Sequence, residues 1–237
     1  MKKLKKIAII PARGGSKRIP RKNIKYFLGK PIIAYSIEAA LKSNLFEEIM
    51  VSTDDKEIAE IAKKYGAKVP FIRSDKNAND YATTVDVIQE VLSEYKKLNF
   101  NFEEACCIYP TAPFITDKTL LKAFKTFKKN GFDCVFPVME FSFPIQRALK
   151  IGVNKKMSLF QPKHLTSRSQ DLESTYHDAG QFYWFQTKEL LEKRRLWTDN
   201  TGVIVIKESE GQDIDTIEDW KLAEIKYKIL YEKENTL

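Results

Sequence analysis

Apolar positions in this chain fall into short unbroken runs that alternate with stretches of helical spacing. Ile7–Ala12 is a continuous apolar run that stops at Arg13 and predicts a buried strand. Ile32–Leu41 predicts a helix, with Pro31 where a first turn accepts proline. Glu48–Thr53 (EIMVST) is a second strand. Asp55 is placed to cap a helix through Ile58, Ile61 and Ala62 that stops at Gly66. Val69–Ile72 predicts a short strand. Val87, Ile88, Val91 and Leu92 share one face of a helix over Thr84–Lys97. Ala105–Tyr109 is a strand and Thr119–Lys128 a helix. Such alternation implies an α/β fold, with a mostly parallel central sheet and helices on both faces.

The pattern changes after Cys134–Met139, another strand. From Glu140 to Thr175 polar and aromatic residues mix without a period. Gln181–Phe185 and Gly202–Ile206 are strand-like again, and Glu218–Tyr231 is a closing helix. The expectation is one domain over residues 1–237 with an irregular insertion at about 140–175. Long irregular segments in compact domains are usually functional or interfacial, so this one is expected to be a flap, a dimer arm, or both.

Composition narrows the class. A chain of 237 residues that is 43% hydrophobic can bury one sizeable core, and there is no low-complexity tract or internal repeat. MKKLKK looks like the charged start of a signal peptide, but the apolar run after it is too short for one. No later run approaches membrane-spanning length, so the expected location is the cytoplasm. Cys106, Cys107 and Cys134 lie in apolar surroundings and read as buried thiols. His164 and His177 are the only histidines, which argues against a multi-histidine zinc site. The net charge of +8 suits a polyanionic partner, either nucleic acid or a nucleotide. No aromatic-basic RNA-binding pattern and no basic recognition helix is present, which disfavours nucleic acid. A dinucleotide-binding GxGxxG is also absent.

Ligands of open α/β sheets bind at the carboxyl ends of the strands. Four polar clusters fall at such ends: Arg13–Asn23, Ser52–Asp55, Tyr109–Thr111 and Asp213–Asp215. In the first, Gly14 and Gly15 allow backbone amides to approach an anion, Ser16 offers a hydroxyl, and Lys17 and Lys22 supply point charge. The loop reads as a phosphate cradle or as a solvated basic turn; it lacks Walker spacing. In GQDIDTIEDW, Asp213 and Asp215 are two apart and share a side of an extended segment. Together they can hold a hard cation such as Mg²⁺. Alternatively Asp215 or Thr216 caps the following helix, which accounts for one aspartate but not both.

These motifs together resemble the cytidylyltransferases that activate nine-carbon acidic sugars, the CMP-sialic acid synthetase family. The resemblance rests on PARGGSKRIPRKN, STDD (Ser52–Asp55), NDYATT (Asn79–Thr84), YPTAPF (Tyr109–Phe114) and DIDT (Asp213–Thr216), in order over nearly the whole chain. Sialic acid synthetases typically have glutamine where Tyr109 stands, and PNGAIY where this chain has DAGQFYW. The string YHDAGQFYW, with RSQDL at Arg168–Leu172, is similar to the branch that uses pseudaminic acid.

The resemblance implies a Rossmann-like nucleotidyltransferase fold with an inserted dimerisation arm, and a homodimer. It implies that CMP passes from CTP to the sugar's anomeric hydroxyl by in-line attack, with Mg²⁺ as cofactor. N-acetylneuraminic, legionaminic or the eight-carbon KDO acid are alternative acceptors. Arg13, Gly14, Ser16, Lys17 and Lys22 are then assigned to the triphosphate, with Lys17, Arg13 and Asp215 as catalytic groups. Asn23, Arg73 and Thr83 fall to the cytidine part, although Arg73 also reads as a surface arginine at a strand end. Asp178, Gln181, Tyr183 and Tyr109 fall to the sugar, and Asp213 and Asp215 to the metal. His177 is a base, a sugar contact or a structural residue. Phe182 and Trp184 point away from Gln181 and Tyr183 and are expected to pack in the core. The resemblance suggests a place in bacterial surface or flagellar glycosylation.

Overall fold

The computed structural model describes residues 2–231, with side chains from Lys6 onward. The chain begins with β1 (Lys2–Pro11), a small hairpin of β2 (Tyr26–Phe27) and β3 (Lys30–Pro31), α1 (Ile32–Ser43), β4 (Glu48–Ser52) and α2 (Lys56–Lys64). It continues through α3 (Asp75–Ala78), α4 (Thr84–Lys97), β5 (Phe100–Ile108), α5 (Asp117–Asn130) and β6 (Cys134–Glu140). After a second hairpin, β7 (Leu149–Ile151) and β8 (Met157–Leu159), come β9 (Tyr176–Asp178), β10 (Phe182–Gln186), α6 (Thr187–Lys193), β11 (Thr201–Val205) and α7 (Ile217–Tyr231).

The main sheet has the order β11-β6-β10-β5-β1-β4, with β9 on β6. β1 is parallel to β4 and β5, and β11 to β6, while β10 and β9 run antiparallel to their neighbours. The fold is therefore the mostly parallel α/β sheet that the alternation predicts. Period-two alternation divides its side chains between two cores. Ala8 and Ile10 pack with Ile33 and Ile37 of α1 and with Leu120 and Phe127 of α5. Ile7 and Ile9 pack on the other face with Ile88, Val91 and Tyr95 of α4 and Leu190 of α6. Phe182 and Trp184 join the first core as expected, and Tyr183 and Phe185 join the second.

Several boundaries follow from capping. Asp55 accepts from Ile58 N at 3.0 Å and starts α2, and Gly66 follows it at φ 96°. Thr116 and the left-handed Gly131 extend α5 beyond the expected Thr119–Lys128. One expectation fails. Val69–Ile72 is not a strand: the chain bridges β4 at Lys68, opposite Met50, and meets that edge again only at Arg73, with no ladder between. Pro70 has no N–H for a ladder. The missed α6 is a short TKELLEK turn with too few apolar positions to show a period.

A third core matters most for function. Ile19 of the basic loop and Phe27 of the β2–β3 hairpin are buried with Ile214 and with Trp220 of α7. The Phe27 ring meets Trp220 edge-on at 5.6 Å and Tyr35 at 5.5 Å. Burial here straps the loop after β1 to the segment before α7, although almost 200 residues separate them.

The insertion at 140–175 contains the β7–β8 hairpin and three short 3-10 turns, and none of its residues is buried. Ile151, Met157 and Leu165 are each more than 60% exposed. Among the described residues no helix is long and apolar enough to cross a membrane. The three cysteines are free and buried, as expected, and burial pushes the Cys134 thiol up to about 12.

Candidate active site

The loop after β1 is built to keep cations close to one another. Gly14 N donates to Asp54 Oδ1 at 2.9 Å, and a Cβ on Gly14 would lie 2.8 Å from Asp55 Oδ2, so the close approach needs glycine. Asp55, besides capping α2, pairs with Arg21, which adopts the left-handed conformation and also pairs with Glu57. The Arg21 pair holds the Asp55 carboxyl below the usual carboxylate range. Asn23 is buried and donates to Arg13 O at 2.8 Å, pinning the loop on itself.

Arg13, Ser16, Lys17, Lys22 and Tyr109 face a cleft of about 390 Å³, with Thr111 on the same wall. Its cations are neutralised from two sides. Asp80 pairs with Arg13 at 2.7 Å and with Lys17, and Arg13 also donates to Asn79 O at 2.9 Å. On the other side Asp215 accepts from Arg18 at 2.6 Å and lies 3.7 Å from Lys22, whose ammonium donates to Ile214 O at 2.6 Å. Exposed pairs of this kind contribute little because water screens them, so a multiply charged anion can displace the carboxylates.

α7 is capped reciprocally by its own residues. Thr216 N donates to Asp219 Oδ2 at 2.7 Å, and Asp219 N donates to Thr216 Oγ1 at 3.2 Å. Neither Asp213 nor Asp215 is used as the cap. Asp213 is exposed, yet partial desolvation of its carboxyl first, and then the charge of Asp215, push that carboxyl up. Two nearby carboxylates without a capping duty suit a hard cation completed by water and phosphate oxygens. Among the described residues no group of three or more His, Cys, Asp or Glu is assembled.

Of the residues assigned to CTP, Arg13, Ser16, Lys17, Lys22 and Asn23 line this cleft, whereas Gly14 supports it from behind. Arg73 is not a surface arginine. It is 5% exposed, donates to Ser52 Oγ at 3.0 Å and to Ser52 O at 2.5 Å, and its pKa is lowered by burial. Thr83 stands apart as the cap of α4, in a reciprocal box with Asp86 and beside Trp197. On the sugar side Tyr109 lines the cleft, and the other three lie behind it. Gln181 is 2% exposed; its Nε2 donates to Glu210 O at 2.7 Å and its Oε1 has no partner. Tyr183 donates its hydroxyl to Asp178, whose other oxygen accepts from Gly180 N at 2.8 Å. His177 Nδ1 lies 2.9 Å from Asp178 O, and its ring packs on Phe141 at 4.8 Å. Sequence reasoning left Arg18, Asp80 and Thr111 unassigned. Arg18 and Asp80 stand inside motifs already quoted, and only their pairing across the fold distinguishes them from solvated charges.

The sequence and the fold are similar to those of known proteins. Residues 7–217 match the cytidylyltransferase family. The chain is 45% identical over 229 residues to the pseudaminic acid cytidylyltransferase of Campylobacter jejuni subsp. jejuni, covering 97% of this chain and 99% of that protein. It is 35% identical over 222 residues to the CMP-N,N'-diacetyllegionaminic acid synthase of Legionella pneumophila, covering 92% and 94% of the two chains. The fold is similar to that of CMP:2-keto-3-deoxy-manno-octonic acid synthetase, solved in complex with CTP, with a TM-score of 0.69 at 18% identity over 96% of this chain and 99% of that one. With a match over most of its length and relatives similar from end to end, the chain belongs to the cytidylyltransferase family.

Proposed function

We propose that this protein transfers CMP from CTP to the anomeric hydroxyl of pseudaminic acid and releases pyrophosphate. The observation that carries the choice of sugar is the 45% identity, over nearly the full length of both chains, to a pseudaminic acid enzyme. Identity to the legionaminic acid synthase is 35%, and that acid is the alternative acceptor.

The cleft suits this chemistry. In-line attack on the α-phosphorus depends on positioning and on neutralising charge that moves to the leaving pyrophosphate. Arg13, Ser16, Lys17 and Lys22 bind the triphosphate, with Lys17 nearest the leaving group. Asn23 and Arg73 shape the cytidine side, and Thr83 acts from the α4 terminus. Asp213 and Asp215 would hold Mg²⁺, which when bound neutralises phosphate oxygens and favours ionisation of a nearby hydroxyl. Tyr109 meets the sugar, backed by Gln181, Tyr183 and Asp178. The insertion at 140–175, exposed and rich in apolar side chains, serves as the arm of a homodimer. The reaction takes place in the cytoplasm, where CTP is available.

The test is pyrophosphate release from CTP and Mg²⁺ with a panel of eight- and nine-carbon sugar acids. Turnover with pseudaminic acid at least 100-fold above the others supports the proposal. A preference for legionaminic or N-acetylneuraminic acid would sink the choice of sugar, and silence with every acid would sink the reaction.

A further inference from the structure

One carboxylate beside the cleft has no part in the proposed mechanism. Asp80 faces two of the cations that receive the triphosphate, where a negative charge opposes the ligand. Asp215 faces Arg18 and Lys22 in the same way, but the metal accounts for it. The place of Asp80 is built by a turn. Asn79 Oδ1 accepts from Tyr81 N at 2.8 Å and from Ala82 N at 3.0 Å, and Asn79 Nδ2 donates to Lys76 O at 2.7 Å. Arg13 donates to Asn79 O at 2.9 Å. The two oxygens of Asp80 are divided between two cations. Oδ1 lies 2.7 Å from Arg13 Nη1, and Oδ2 accepts from the Lys17 ammonium. Two oxygens of one phosphate group can bridge the same pair. Lys17 first, and then Arg13, hold the carboxyl below the usual carboxylate range, so it is an anion at neutral pH. Polar contacts also hold the rest of the segment. No residue from Ser74 to Thr83 is buried, and Tyr81 is 93% exposed. Glu90 accepts from Ser74 N at 2.7 Å and from Asn77. Such a segment can yield its ion pairs without opening a core.

We propose that Asp80 is an exchange residue for the triphosphate: it yields Arg13 and Lys17 to incoming CTP and takes them back as pyrophosphate leaves. The inference rests on the reaction proposed above and on its assignment of Arg13 and Lys17 to the triphosphate. Several phosphate oxygens carry more charge than one carboxylate and win the two cations. Asp80 then stands unpaired beside a polyanion of its own sign. That repulsion, and the ion pairs ready to re-form, weaken the hold on pyrophosphate once CMP has been transferred. A site made only of cations would keep a polyanionic product longest. Product release is the slow step of many enzymes, so a carboxylate that weakens binding can still serve turnover.

The experiment measures binding of CTP, inorganic pyrophosphate and cytidine, each with Mg²⁺, to wild type, Asp80→Asn, Asp80→Ala and the control Glu94→Gln. Glu94 pairs with Lys97 within α4, so its variant changes the net charge equally without touching the basic loop. Two exposed ion pairs are together worth about a factor of ten, so CTP and pyrophosphate should bind about tenfold tighter to both Asp80 variants. Pyrophosphate should also inhibit turnover of these variants at about tenfold lower concentration. Cytidine, which carries no phosphate, should bind them within about twofold of wild type, as should all three ligands to Glu94→Gln. The ratio of wild-type to variant dissociation constants should approach one as NaCl rises from about 0.05 to 0.5 M, because salt screens the exposed charges. Thermal melts confirm folding, and two different side chains at position 80 guard against a local fault in either. CTP and pyrophosphate bound no tighter by both folded variants, an equal gain in Glu94→Gln, or a gain that extends to cytidine would overturn the exchange role. A wild type that binds no CTP would overturn the assignment of the cleft itself, a different outcome from a wild type and variants that bind it alike.

Discussion

On the phosphate side of the cleft the Lys17 and Arg18 side chains are 78% and 67% exposed, and each is paired with a carboxylate that is itself 40% exposed. On the tyrosine side Gln181 and Tyr183 are 2% and 5% exposed, and their polar atoms engage the backbone of residue 210 and the carboxylate of Asp178. The first side is a set of charges whose partners can be exchanged at little cost. The second is part of the core, where leaving a hydrogen bond unmade costs about 1–3 kcal/mol. The contrast fits the two ligands. A triphosphate is defined by charge, and mobile cations can close on it. A sugar acid is distinguished from its relatives by the placement of a few polar groups, which demands a wall that does not move.

The largest effect should come from cutting what holds the phosphate side in place. Trp220 is 3% exposed, meets Phe27 at 5.6 Å and carries Lys25 over its ring at 5.5 Å. Trp220→Ala should cost about 3–5 kcal/mol in denaturant unfolding and should weaken CTP binding, because the basic loop and the Asp213–Asp215 segment share this core. Unchanged stability would mean that the third core does not join the two segments. Next comes Lys17→Ala. Losing one well-placed charge at the leaving group should lower kcat about 10²–10³-fold. The thermal midpoint should move by less than about 2 °C, since exposed ion pairs contribute little. A large fall in stability with modest loss of turnover would assign Lys17 to structure and erase the contrast between the two sides.

The same contrast explains what the sequence makes legible. Helix and strand alternation is a local pattern, so the layers of the sheet can be read along the chain, as with Ile7–Ile10 and Val87–Val91. The basic loop is legible because five cations and two glycines in a row have no role in a core. Pro70, by contrast, sits inside an apolar run, and its missing N–H outweighs the run. The strand order, with β10 inserted antiparallel between β5 and β6, depends on contacts far apart in sequence. So does the pairing of Asp80 with Arg13 and Lys17. Asp178 and Tyr183 were assigned to the sugar through resemblance alone. The packing of Tyr183 against Tyr109 and its bond to Asp178 are tertiary facts that no spacing rule contains.

The smallest effect tests Asp213, which lies between the two kinds of site: exposed and charged like the phosphate side, but with a carboxyl that its neighbours partly desolvate. Desolvation first, and then Asp215, raise its carboxyl above the ordinary 3.8, while Lys22 opposes the shift and Asp219 adds to it. A carboxyl raised in the folded state binds its proton more tightly there than in the unfolded chain. Its favourable contribution is complete below about pH 3.8 and is lost as the pH climbs through the raised folded value. Above that window the ionised group is a standing cost to the fold. Asp213→Asn removes the cost, so without metal the variant should melt slightly above wild type at pH 7–8, by about 1–2 °C if the gain is about 0.5 kcal/mol. The difference should shrink as the pH falls towards 4. Millimolar Mg²⁺ should raise the wild-type midpoint, because a bound cation offsets the charge that desolvation penalises, and should leave the variant unmoved. A variant less stable than wild type at every pH would show that Asp213 is held by interactions that favour its charge. It would then belong with the prebuilt wall rather than with the exchangeable charges of the phosphate side.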